Sequence, residues 1–133
     1  MIKDERTKFA NEIGGEILVA DSNFCAVFKL RDLDVTIQNR PSRSPLVLGA
    51  MFSFEYDPES EDQDALCLLK IPVKENEINL LITLLKNLDF KIDALNNSWL
   101  KADPPIYYVS SHVIDDPTIF AINISHIFRI LKL

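Results

Sequence analysis

The chain has 133 residues, of which 47% are hydrophobic and 26% are charged, a composition that supports one folded domain and leaves no room for two. Its 20 acidic residues outnumber its 14 basic ones, and the net charge is −6. Because nucleic acids and anionic membrane surfaces are bound by clustered Lys and Arg, these scattered basic residues exclude both as expected partners.

The N-terminal sequence predicts a cytoplasmic protein. Its first eight residues are rich in charge and precede no apolar run of a secretion signal. No apolar segment approaches the roughly 20 residues that a membrane helix needs. In a reducing compartment Cys25 and Cys67 are expected to be free thiols. Both lie in apolar, strand-like runs, so we predict that they are buried and form no disulfide.

The N-terminal half predicts a helix followed by strands. Residues 3–13 are charged, with Phe9, Ala10 and Ile13 on one side, and two glycines end this helix. The segment 39–45 contains two prolines and two serines, which predict a loop. Strands are predicted over residues 16–20, 23–30, 33–38, 46–56 and 65–73, the last two joined by an acidic connection over 57–64.

The C-terminal half changes to helical periodicity. Apolar residues recur at helical spacing over 78–88, and strands are predicted over 90–97 and 106–112. Asp116-Pro117 predicts the start of a last helix, because Asp caps a helix and Pro is favoured at its first position. The apolar face of this helix is formed by Phe120, Ile124, Ile127, Phe128 and Leu131.

These elements predict the fold class. We expect a single α+β domain over residues 1–133, a mostly antiparallel sheet with two C-terminal-half helices packed on it. The order strand, helix, strand, strand, helix from Ala65 onward is that of a ferredoxin-like unit without its final strand. The strand over 46–56, paired with 65–73 through the acidic connection, would fill the missing place. The interpretation is a permuted ferredoxin-like core.

Three segments carry a family resemblance. They are residues 35–54, with Val-Thr-Ile-Gln-Asn-Arg-Pro and Leu-Val-Leu-Gly-Ala-Met-Phe-Ser-Phe; residues 65–79; and residues 94–110, with Ala-Leu-Asn-Asn-Ser-Trp-Leu and Pro-Pro-Ile-Tyr-Tyr-Val-Ser. They resemble the patterns V-T-V-D-G-x-P…L-G-L-G-S-W-A-A-F, A-M-V-M-G-D-L-V-L-T-E-D-E-V-N, and A-L-H-N-H-M-L…P-R-I-Y-F-L-H of the bacterial LppY/LpqO family, whose function is unknown. The resemblance covers roughly residues 30–131.

The departures from this family bear on function. The family's His-Asn-His cluster reads Asn96-Asn97-Ser98, its later histidine reads Ser110, and its Gly-Asp pair reads Leu69-Lys70. Imidazoles that could bind a metal or move a proton are therefore absent at every matched position. We predict no metal ligands, no cofactor and no catalytic residue that follows this family pattern.

Polar residues at the ends of two predicted strands form the candidate ligand-binding site: Asn96, Asn97, Ser98, Trp99 and Ser110. One interpretation is a small pocket in which amides and hydroxyls bind a ligand beside the apolar wall of Trp99. The other is a strand end whose Asn and Ser side chains bind turn backbone groups. His112 and His126 have no metal-binding spacing, and the acidic residues over 57–64 lack the glycine and glutamate of a calcium loop.

Two functions remain open at this point. The favoured hypothesis is a non-catalytic module that binds a small ligand or another protein. The alternative is an enzyme that acts on a small molecule through an acidic pair or a free thiol. We also predict a homodimer through the C-terminal helix, because members of the resembled family often carry two copies of this domain and two single-copy chains could pair in the same way. The alternative is that the N-terminal segment covers the second apolar face of this helix within one chain. Ile119, Ile122, Ile130 and Leu133 extend the apolar surface of that helix beyond one face.

Overall fold

The computed structural model describes residues 2–61 and 63–132. In chain order the elements are α1 (Ile2–Ile13), β1 (Glu16–Ala20), β2 (Phe24–Leu30), β3 (Val35–Ile37), β4 (Arg40–Ser42), α2 (Pro45–Leu48), β5 (Gly49–Glu55), β6 (Ala65–Lys74), α3 (Ile78–Asn87), β7 (Lys91–Asn97), β8 (Ala102–Asp103), β9 (Ile106–Asp115) and α4 (Pro117–Leu131). A 3₁₀ turn, Glu75–Glu77, leads directly into α3.

A six-stranded antiparallel sheet organises these elements. Its strand order is β1-β2-β5-β6-β9-β7, and a small three-stranded sheet has the order β4-β3-β8. The α+β class with a mostly antiparallel sheet is therefore confirmed. The predicted pairing of the strand over 46–56 with the strand over 65–73 is also present, as β5 with β6, and Phe52 lies opposite Leu69. The permuted ferredoxin-like core stays a prediction.

Helices α1, α3 and α4 cover one face of the large sheet. Strand side chains alternate between faces, so Phe52 and Phe54 of β5 point into the same core as Ile71 of β6, and each is at most 1% exposed. Phe120 of α4 and Leu81 of α3 close this core from the helix side. We call the opposite face of the sheet the open face, because α1, α3 and α4 do not cover it.

A second apolar cluster lies at one end of the open face. It joins Val35 of β3, Val47 and Leu48 of α2, and Ile106 and Tyr108 of β9, all buried. The small sheet is thereby fixed against the large one, because β9 contributes residues to both clusters. This arrangement leaves most of the open face uncovered.

Two segments differ from their sequence predictions. The predicted loop over 39–45 contains β4, which pairs with β3 at the edge of the small sheet. Pro41 is accommodated because not every N–H group of an edge strand has to donate a hydrogen bond to a neighbouring strand. The predicted strand over 46–56 begins as α2, where Ser44 accepts a hydrogen bond from the N–H of Leu46 and Pro45 occupies the first turn.

The predictions for α4 and the cysteines are confirmed. Asp116 accepts a 2.7 Å hydrogen bond from the N–H of Thr118, with Pro117 in the first helical turn. Cys25 and Cys67 are buried and unpaired. In the described residues, no helix combines the length and apolar character required to span a membrane.

Candidate functional site

The open face of the large sheet presents a mixed row of side chains. Met51 of β5 lies opposite Lys70 of β6, and Lys70 lies opposite Ser110 of β9. Directly opposed residues of antiparallel strands share a face, so these three side chains are neighbours. Ser110 is half-buried, and Met51 and Lys70 are exposed.

A groove forms where this row meets α2 and the small sheet. Its volume is about 430 Å³, within the usual range of small-molecule pockets. Its walls are mostly apolar or aromatic, and they include the ammonium group of Lys70 and the hydroxyl group of Ser98. The lining residues are Pro45, Leu46, Gly49, Met51, Lys70, Ser98, Trp99 and Tyr108.

Helix α2 supplies one wall of the groove. Its single turn leaves Leu46 76% exposed while Val47 and Leu48 are buried beneath it. Gly49 ends the turn at a point of close approach, since a Cβ there would lie 2.4 Å from the carbonyl oxygen of Pro45. Glycine at this position therefore allows β5 to start directly beside the groove.

Tyr108 and Trp99 form the aromatic wall. The Tyr108 hydroxyl donates a 2.8 Å hydrogen bond to the carbonyl oxygen of Val47, which ties β9 to α2. Burial raises the pKa of Tyr108, and a side-chain hydrogen bond with Trp99 opposes this effect only in part. The phenol therefore stays protonated at neutral pH. Nζ of Lys70 lies 5.5 Å from the Tyr108 ring centroid, within the range of a cation–π contact.

The sequence-predicted site residues do not all lie on one face of the large sheet. Ser98 and Trp99 line the groove, and Ser110 lies beside Lys70 on the open face. Asn96 is opposite Tyr108 and so shares this face. Asn97 is opposite Tyr107 on the other face, and its side-chain oxygen accepts a 3.3 Å hydrogen bond from the Trp99 N–H. Asn97 thus stabilises the turn that carries Trp99.

Six groove residues were not predicted from the sequence: Pro45, Leu46, Gly49, Met51, Lys70 and Tyr108. Met51 and Lys70 carried a usable signal, because each alternates with buried residues along its strand and so must point to the open face. Leu46 carried no such signal, because its sequence predicts the start of a strand whereas it lies in α2.

A His–Asp pair lies further along the open face. Nδ1 of His112 is 2.7 Å from a carboxylate oxygen of Asp93, and both side chains are partly exposed. A strand irregularity between Ile92 and Ala94 places Asp93 at this position. The pair is separate from the groove lining, and its carboxylate is already engaged.

The thiols are poorly suited to nucleophilic chemistry. Burial raises the pKa of Cys67 to about 12, with the nearby Asp115 carboxylate acting in the same direction. Burial also raises the pKa of Cys25. Thiolates are the reactive form, so both groups are held in the unreactive form. No cluster of three or more His, Cys, Asp or Glu side chains suited to a metal ion occurs in residues 2–61 and 63–132.

A family model described as Domain of Unknown Function (DUF1259) matches residues 7–129, which include every strand and every lining residue of the groove. No curated protein and no solved structure matches the chain.

Proposed function

The chain belongs to the family described as Domain of Unknown Function (DUF1259), and we propose that it is a non-catalytic module that binds a small ligand in the groove. The observation that carries this proposal is the groove itself. Apolar walls from Leu46, Met51 and Trp99 surround a single ammonium group from Lys70. An apolar cavity with a few polar groups is the usual form of a small-molecule site.

The LppY/LpqO resemblance supports the same location. The positions at which this chain departs from that family's polar pattern are Lys70, Asn96, Ser98 and Ser110. The structure brings all four to the open face in or beside the groove. We infer that this site is where the chain's specificity differs from that of the family it resembles.

A neutral apolar probe tests the groove without any assumption about ligand charge. Trp99 is the only tryptophan, so energy transfer from Trp99 to N-phenyl-1-naphthylamine reports binding close to the site. Leu46→Asp places a charge in the apolar wall and is expected to weaken binding about tenfold, equivalent to roughly 1.4 kcal/mol. Leu46 is 76% exposed, so folding should be unaffected.

Leu100→Asp is the matched control. Leu100 is 87% exposed on the turn next to Trp99 and is not part of the groove lining. Its substitution should leave probe affinity unchanged. Equal loss of affinity in both variants, or no energy transfer in the unmodified protein, contradicts the proposal.

We also propose that two copies of the chain associate through α4. Helix α1 packs on one flank of α4, with the rings of Phe9 and Phe120 stacked at 5.8 Å. Ile119, Ile122 and Ile130 nevertheless remain 40–48% exposed. Leu133, the fourth residue predicted on this surface, lies outside the described residues. A two-fold pair would bury this strip, and two-fold symmetry is the commonest in homo-oligomers.

Light scattering tests this association. The expected mass is twice the 15.2 kDa of one chain. Ile122→Lys should reduce the measured mass to that of one chain, because the dimer interface would otherwise bury an unpaired charge. Leu68→Lys, on the open face and 39% exposed, should leave the dimer intact. A monomeric native protein contradicts the proposal, as does dissociation by Leu68→Lys alone.

A further inference from the structure

Lys70 lines the groove and has no ion-pair partner among the described residues. Its neighbours across the sheet are Met51 and Ser110, neither of which is acidic. Among the described residues, its cation–π partner is the ring of Tyr108, whose centroid lies 5.5 Å from Nζ.

The surroundings of Lys70 favour an anion. The chain carries a net charge of −6, yet none of the described residues that line the groove is Asp or Glu. Asp93, on the neighbouring part of the open face, is engaged by His112 at 2.7 Å. Ser110, opposite Lys70 on β9, and Ser98 in the groove lining add two hydroxyl donors. A carboxylate placed here would gain charge-assisted hydrogen bonds without meeting a like charge.

We propose that the ligand is a small organic monoanion, a carboxylate with an apolar or aromatic body. This inference rests on the proposed groove function. A single ammonium group matches a single negative charge, whereas the double charge of a phosphate monoester is usually met by several cationic donors. The body of the ligand lies against Leu46, Met51 and Trp99, and its carboxylate lies at Lys70.

The test uses three compounds with one tail and different head groups: 4-phenylbutyrate, 4-phenyl-1-butanol and 4-phenylbutylamine. Displacement of N-phenyl-1-naphthylamine gives their affinities. The native protein should bind the carboxylate about twofold to fivefold more tightly than the alcohol, the range expected for an exposed charge pair. The amine should bind most weakly.

Substitution of Lys70 separates charge from shape. Lys70→Met should bind all three compounds similarly, and Lys70→Asp should reverse the order so that the amine binds best. Lys70 is exposed, so both variants should fold. Lys91→Asp is the control, because Lys91 is an exposed residue of the open face, opposite His112 and outside the groove, and should keep the native order.

The outcomes distinguish this inference from the proposed function. If the compounds bind in the native protein but head-group charge has no effect, the groove binds ligands and the monoanion proposal is wrong. If the order persists in Lys70→Asp, Lys70 does not select the ligand and the proposal is again wrong. If neither the probe nor any compound binds, the proposed function itself fails.

Discussion

Glu77→Ala is expected to lower the free energy of unfolding by about 3–5 kcal/mol, the usual effect of leaving a buried charge without its partner. The Glu77 carboxylate accepts two hydrogen bonds from the Arg31 guanidinium, at 2.7 and 3.0 Å. Arg31 is only 3% exposed. Without Glu77, the guanidinium group of Arg31 would keep its 3.0 Å hydrogen bond to the backbone carbonyl oxygen of Pro72. A buried cation would then lack a counter-charge.

The pH dependence of stability gives a second measure of this ion pair. Burial acts to raise the pKa of Glu77, but hydrogen bonds from Arg31 and from the backbone N–H of Lys74 outweigh burial and lower the pKa. A carboxyl group with a lowered folded-state pKa stabilises the fold fully above its unfolded-state value. That contribution is lost as the pH falls through the folded-state pKa. Urea unfolding should therefore show a steeper loss of stability below about pH 4.5 in the native protein than in Glu77→Gln.

The control for charge is a double substitution. Arg31→Met with Glu77→Met replaces both partners by apolar side chains, and such replacements are often neutral or stabilising. This variant should recover most of the stability lost in Glu77→Ala, helped by removal of the Arg31 Nε, which has no described hydrogen-bond partner. A double variant as unstable as the single one would show that the ion pair is not the cause.

Periodicity and capping predicted most of the large sheet and its helices. Alternation and helical spacing report burial, and burial decides which face of each element packs. Asp116 was recognised as a cap because a cap is a local interaction between neighbouring residues. The segment 39–48 was assigned incorrectly because its structure depends on distant residues. Tyr108 lies 61 positions from Val47, whose carbonyl it binds, and that contact positions α2.

The candidate site was only partly predictable for the same reason. Ser98, Trp99 and Ser110 were selected as polar or aromatic residues at strand ends, and the structure places them in or beside the groove. Their most important neighbour, Lys70, lies 28 to 40 positions earlier in the chain, and it becomes adjacent only through the pairing of β6 with β9. Local periodicity does not predict the order of strands across a sheet. The position of Lys70 in the groove therefore could not be predicted from the sequence.

Phe9→Ala is expected to lower the free energy of unfolding by about 3–5 kcal/mol, the range for truncating a buried aromatic residue. Phe9 is 2% exposed and projects from α1 between the sheet and α4. Its ring contacts Phe54 edge-on at 4.8 Å and stacks on Phe120 at 5.8 Å. Truncation would leave a cavity bordered by both rings, and neither can fill it without moving its own strand or helix.

The effect of Phe9→Ala should also be local. Among the α1 side chains that the structure describes, Phe9, Ala10 and Ile13 are buried in the core. Loss of the largest should therefore accelerate amide hydrogen exchange in α1 more than in β5 or β6. Phe28→Ala is the matched control, because Phe28 is only half-buried on the open face. It should cost about 1 kcal/mol and leave exchange in α1 unchanged. Urea unfolding followed by circular dichroism, together with exchange measured by mass spectrometry, tests both variants. An equal loss of stability in the two would show that Phe9 does not hold α1 against the core.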